Sequence, residues 1–176
     1  MESPDTREKA TYDMLKQVLQ NHITTHDMTL SVALMGCTMM LTSACLAFYD
    51  TEEDIQVHVP YTMTRLKEHL RARQATPPLL PFATGQRQAG EDAVRSHDAH
   101  ALGTSLALCT QDAVDEYALP TGAAWGIALA LTADVLAMLI HQHQNTPVEV
   151  DAMIDETLQP VMIRQMRQVH QQAGGG

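Results

Sequence analysis

From Met28 to Tyr49 the chain carries no charged side chain, and a second run, Tyr117 to Gln144, is interrupted only by Asp134. In a chain of formal net charge -10 these two islands must be buried, either in a protein core or in lipid. A helix of that length reaches ~33 Å, enough to cross a bilayer. Several residues oppose that reading. The first run holds Ser31, Thr38, Thr42 and Ser43, and no Lys or Arg flanks it closely enough to orient it. Asp134 would cost about 2.5–3.5 kcal/mol at a bilayer centre. Neither run has flanking aromatic belts. The expectation is a pair of buried helices at the centre of a bundle with no membrane association, a membrane-associated helical hairpin being the second alternative.

The apolar volume comes from Leu, Ala and Met rather than from β-branched and aromatic residues, and the aromatic share is 4%. Those residue types favour helix over strand. With 176 residues the chain is long enough for one domain with a substantial core. The predicted fold is an all-α bundle of about six helices in a single domain, 1–176. Half 1 covers 3–73, a Pro/Gly-rich connection covers 74–90, half 2 covers 91–172, and 173–176 forms a disordered tail.

Local signals place the elements. Ser3-Pro4-Asp5 reads as an N-cap with proline at the first helical position. Met14, Leu15, Val18, Leu19 and His22 follow helical spacing, and the Thr/Asp-rich stretch from Ile23 to Asp27 reads as a turn. The first apolar run should then be buried on every face. Thr51 with Asp54, and Thr146 with Glu149, have capping-box spacing. Pro60 and Pro160 each interrupt an amphipathic helix. Leu102, Leu106, Cys109, Ala113 and Tyr117 mark another helix, and Met153, Ile154, Leu158, Met162, Met166 and Val169 mark the last.

The two halves resemble each other. At an offset of 95 residues Thr51 meets Thr146, and Leu30, Val32, Leu34 and Leu41 meet Trp125, Ile127, Leu129 and Leu136. Any two helical hairpins share apolar positions, so internal duplication and chance remain equal readings.

Acids outnumber bases 21 to 11, so the surface repels a phosphate backbone and no direct nucleic-acid binding is expected. The one basic concentration, Arg65, Lys67, Arg71 and Arg73, has Glu68 within it. Three cysteines, an odd number without framework spacing, read as reduced thiols and suggest a cytoplasmic chain. The first twenty-five residues are too polar for a secretory signal.

The sequence contains no glycine-rich phosphate loop, CxxC pair, nucleophile triad order or dinucleotide fingerprint. No catalytic residue and no cofactor is implied. Among the nine histidines, His97 and His100 at i, i+3 are weak metal candidates that lack a third ligand. His22 and His26 have i, i+4 spacing, but the expected turn at Thr24-Thr25 argues against a shared helical face. Asp134 stands out as a buried polar candidate, because an acid inside an apolar helix must be paired, hydrogen-bonded or protonated.

The functional expectation is a non-enzymatic acidic helical module, an adaptor or inhibitor that binds a protein partner, preferably a basic one, with homodimerisation left open. Met63, Leu66, Leu70, Met153, Met162 and Met166, on the two proline-interrupted helices, are its predicted partner-binding residues, since methionine recurs on adaptable binding surfaces. The alternative is a metal-dependent all-α hydrolase of a nucleotide or phosphoester, using histidines and acids of the fourth and fifth helices.

Overall fold

The computed structural model describes residues 3–49, 51–73, 80, 92–143 and 146–174. They form an all-α bundle: α1 Pro4–His26, α2 Leu30–Leu46, α3 Glu52–Arg73, α4 Asp92–Tyr117, α5 Thr121–His143, α6 Pro147–Met153, and α7 Gln159–Gly174. A single π-helical turn, Ile154–Leu158, joins α6 to α7, so these three segments make one rod and the bundle has six rods. No strand occurs among the described residues. The predicted connection lies outside them apart from Leu80, which is buried in the core. Helix α7 runs through Gly174, into the predicted tail, and the last two residues lie outside the described set.

The caps follow the sequence. Ser3 accepts from the backbone N–H of Thr6, and Thr29 from that of Val32. Thr146 and Glu149 satisfy each other's backbone N–H groups at 3.2 and 2.8 Å, and Thr51 and Asp54 do the same at 3.1 and 3.2 Å. Each box quenches two donors that a helix start leaves free. The two prolines behave differently. Pro60 sits inside an uninterrupted α3. Pro160 follows directly on the π turn, where the Gln159 N–H reaches back to the Ile154 carbonyl. Proline removes one rung of the hydrogen-bond ladder and crowds the preceding turn, and widening that turn relieves both.

Two expectations are corrected. Ile23 to Asp27 is not a turn, because α1 continues to His26. The Thr24 hydroxyl is absorbed by the Gln20 carbonyl at 3.0 Å, and Asp27 closes the helix in the left-handed region at φ 51°. The first apolar run is also not buried all round. On α2, Ser31, Met35 and Ser43 are exposed and Met39 is half-buried, giving an outward stripe at i, i+4 spacing. Helix α5 is the central one, with every residue from Ile127 to Leu129 and from Leu131 to Met138 buried. By length and composition Gly122–His141 could cross a membrane, yet 67% of its apolar window is buried within the protein.

The halves interdigitate. Helix α2 makes its most extensive contact with α4, α5 packs on α2 and α3, α1 packs on α4 and α5, and α3 packs on α7. Contacts among α1, α2 and α3 themselves are marginal. One continuous apolar cluster draws on both halves. At the α2–α4 crossing Gly36 and Gly103 bring the backbones together: a Cβ on Gly103 would stand 3.0 Å from the Gly36 carbonyl oxygen and 2.9 Å from Met39 Cβ. Along the α3 and α6–α7 faces, Glu52 pairs with Arg167, Lys67 with Asp155 and Arg71 with Asp151, so the two rods run antiparallel.

Candidate functional site

Asp134 is buried, as its setting in α5 requires, at 2% exposure. Its two oxygens are divided between two partners from half 1. Arg73 Nε donates to Oδ1 at 2.5 Å, and the Tyr12 hydroxyl donates to Oδ2. Arg73 also donates from Nη1 to the His69 carbonyl at 2.9 Å, which fixes the guanidinium from behind. The network therefore joins α1, α3 and α5, and α3 ends on it. Burial, then the hydrogen bond from Tyr12 to Asp134 and the negative charge of that acid, push the Tyr12 phenol well above its ordinary value, so it remains a donor. Burial, reinforced by Asp134, pushes the Cys37 thiol up to about 12, leaving an inert neutral thiol. His69 is held below its ordinary value by burial first and by the Arg73 and Arg65 cations next.

Each carboxylate oxygen accepts one hydrogen bond, and the phenol stays protonated near neutrality. The network pins three helices together.

The six predicted partner-binding side chains are largely inside. Met63, Leu66, Leu70, Met162 and Met166 are at most 1% exposed, and Met153 is half-buried against the same core. They are corrected from surface to core: α3 packs against α5 and α7, and α7 against α3 and α2. Val169, expected on the inner face of α7, is instead 45% exposed. His97 and His100 are exposed on α4, and as the side chains stand no group of three His, Cys, Asp or Glu among the described residues is arranged to hold a metal ion. Cys37 and Cys45 are buried and Cys109 is half-buried, all as free thiols. The basic concentration on α3 is consumed by carboxylates: Arg65 pairs with Glu68, Lys67 with Asp155, Arg71 with Asp151 and Arg73 with Asp134.

A different surface is open. Between α2, α4 and α7 lies a groove of about 520 Å³ whose apolar walls are Met39, Leu46, Ala107, Leu108 and Val169. Leu108 is 61% exposed, far above what packing demands of a leucine. Glutamines Gln165, Gln168 and Gln172 line the α7 side without contributing charge. One turn beyond Leu108 the exposed face of α4 continues into Asp112, Asp115 and Glu116, all exposed. None of the three forms an ion pair with a described cation, and Asp115 accepts only an amide hydrogen from Gln111 at 3.0 Å. Arg7 lies nearby but donates to the Tyr117 carbonyl at 3.1 Å, capping the helix. Carboxylates in the last turns of a helix oppose its dipole, so this acidic end costs some stability.

Sequence reasoning located Asp134 but not its partners Tyr12 and Arg73, which lie 122 and 61 residues away in the chain. It also missed the groove. The available signal was Leu108, which falls off the Leu102–Leu106 stripe, two residues past its last member. Comparison with protein-family models, with curated proteins and with solved structures finds no match.

Proposed function

We propose that the chain is a non-enzymatic, acidic helical interaction module that receives an amphipathic helix of a basic protein partner in the α2–α4–α7 groove. The observation that carries the reading is the continuity of an open apolar groove with Asp112, Asp115 and Glu116 on one face of α4, which no cation among the described residues pairs. An apolar groove takes the apolar face of a helix, and an acidic end selects and steers a partner whose helix is basic beside that face. The net charge of -10 adds a long-range attraction for such a partner. The Asp134 network, which joins α1, α3 and α5, gives the module a fixed frame behind that groove.

The test uses a lysine- and leucine-rich peptide of helical periodicity, with a scrambled peptide of equal composition as control, titrated into the full chain by calorimetry. Binding is expected for the periodic peptide, weakening as salt is raised. Leu108→Ser and Asp112→Asn/Asp115→Asn are surface changes that leave the fold within about 0.5 kcal/mol and should each weaken binding. Equal binding of both peptides, or indifference to Leu108→Ser, would remove the groove from the reading.

A further inference from the structure

At one end the α2–α4–α7 groove continues into a narrower recess of about 90 Å³ between α2, α4 and the start of α5. The two share Ser43 and Ala107 in their walls. Alanines give the recess its width: Ala44, Ala47, Ala107 and Ala124 stop at Cβ where a longer side chain would fill the space. Met40, 2% exposed, forms its floor. The polar side chains among the described residues of its wall spend their donors within their own helices. Ser43 donates to the Met39 carbonyl at 3.1 Å, Thr110 to the Leu106 carbonyl at 2.6 Å, and the Gln111 amide to Asp115 at 3.0 Å. Water in such a recess is poorly held, and an apolar group that displaces it gains affinity.

We propose that this recess is the specificity pocket of the groove and seats one branched aliphatic side chain, leucine, isoleucine or valine, of the partner helix. The assignment rests on the groove being the docking face. Size selects against an aromatic anchor. An apolar cavity of roughly 150 Å³ takes a benzene ring, and 90 Å³ falls well short of that. Charge fixes what stands beside the anchor. Gln111 in the recess wall is bonded to Asp115 one turn further along α4, and Asp112 follows it directly, both acids being exposed. A lysine or arginine one turn from the anchor on the partner helix therefore meets these carboxylates. The partner is then a helix carrying an aliphatic and a basic residue at i, i+3 or i, i+4 spacing.

Met39 lines the groove and Met40 the recess, so their methyl groups report the two separately. The full chain with isotope-labelled methionine methyls is titrated by NMR with the lysine- and leucine-rich periodic peptide. A second series replaces each leucine in turn by phenylalanine, and Met39→Leu and Met40→Leu assign the signals. Both methyl signals should move with the parent peptide. One leucine position should resist phenylalanine, its affinity falling roughly tenfold, as for a small misfit in an apolar pocket. That peptide should still move Met39 but no longer Met40. Ala47→Leu fills the recess from an exposed position, so the fold should persist by circular dichroism while the parent peptide binds roughly tenfold more weakly. A moving Met39 with a still Met40, equal tolerance of phenylalanine at every position, or full affinity in Ala47→Leu would each overturn the pocket and leave the groove standing. Stillness of both methyls would overturn the groove and the pocket with it.

Discussion

Replacing Arg73 by methionine tests the role assigned to the buried acid. Methionine keeps the length and the apolar stem but removes the guanidinium, so Asp134 retains only the Tyr12 hydroxyl and the His69 carbonyl loses the Nη1 donor. Removing one partner of a buried pair typically costs about 3–5 kcal/mol, because the remaining charge is left without compensation. The Arg73 side chain is 21% exposed against 3% for Asp134, so water can reach the vacated space, and about 3 kcal/mol is the expected loss. With an unfolding entropy of about 2.1 cal/mol/K per residue, that loss lowers Tm by roughly 8 °C for a chain of this length. The assay is urea unfolding at neutral pH followed by Trp125 fluorescence. Trp125 is the sole tryptophan, its indole N–H donates to Thr62 at 3.3 Å, and its ring stacks on Tyr61, so it reports the α3–α5 contact. A second arm replaces all three partners, as Tyr12→Phe/Arg73→Met/Asp134→Leu. An apolar substitute for a buried ionic network is often neutral or stabilising, so this variant should recover to within about 1 kcal/mol of the parent. A single-variant loss below about 1 kcal/mol, as for an exposed pair, would refute the reasoning. A triple variant as unstable as Arg73→Met would refute it equally.

Gly103→Ala should destabilise by about 1–3 kcal/mol, because its Cβ meets the Gly36 carbonyl, which is backbone and cannot rotate away; chemical denaturation at unchanged m-value measures this. Fragments 1–73 and 91–176, made separately, should each show low helicity and no cooperative melt. Mixing them should restore both, since the principal contacts lie between halves, and a cooperatively folding fragment alone would contradict that packing. Stability should decline as pH falls below about 6.5, the ordinary histidine value: His22 and His69 are held lower when folded, so the unfolded chain takes up their protons first. His69→Gln should flatten part of that decline, as followed by Tm against pH. Thr146→Ala should cost about 1 kcal/mol by removing one side of the capping box that starts α6, as read by Tm.

Local features were legible in the chain wherever the cause was local. The proline-led start of α1, the two Thr-based capping boxes and the burial of Asp134 all follow from residues within a few positions of one another. The π turn before Pro160 was only half legible: the sequence announces the interruption, while the way the ladder absorbs it depends on what the rod packs against. Reading Met63, Met162 and Met166 as a binding face failed for a definite reason. Helical periodicity identifies an apolar stripe but not whether another helix covers it, and here α3 packs against α5 and α7, while α7 packs against α3 and α2. Val169 is the reverse case, an apolar residue whose spacing continues an inner stripe and which yet lines an open groove.

By itself, the sequence determined that this protein is helical, that two charge-poor segments form its interior, and that an acid in the second must find partners. These follow from propensity and from the cost of burying charge, which act residue by residue. Only the tertiary structure decided that the halves interdigitate, that α5 rather than α2 has the more continuously buried middle, that Arg73 and Tyr12 answer Asp134, and that His26 approaches Asp98. Those outcomes depend on which faces meet across more than sixty residues of chain. A pattern of spacing within one helix carries no record of its neighbour.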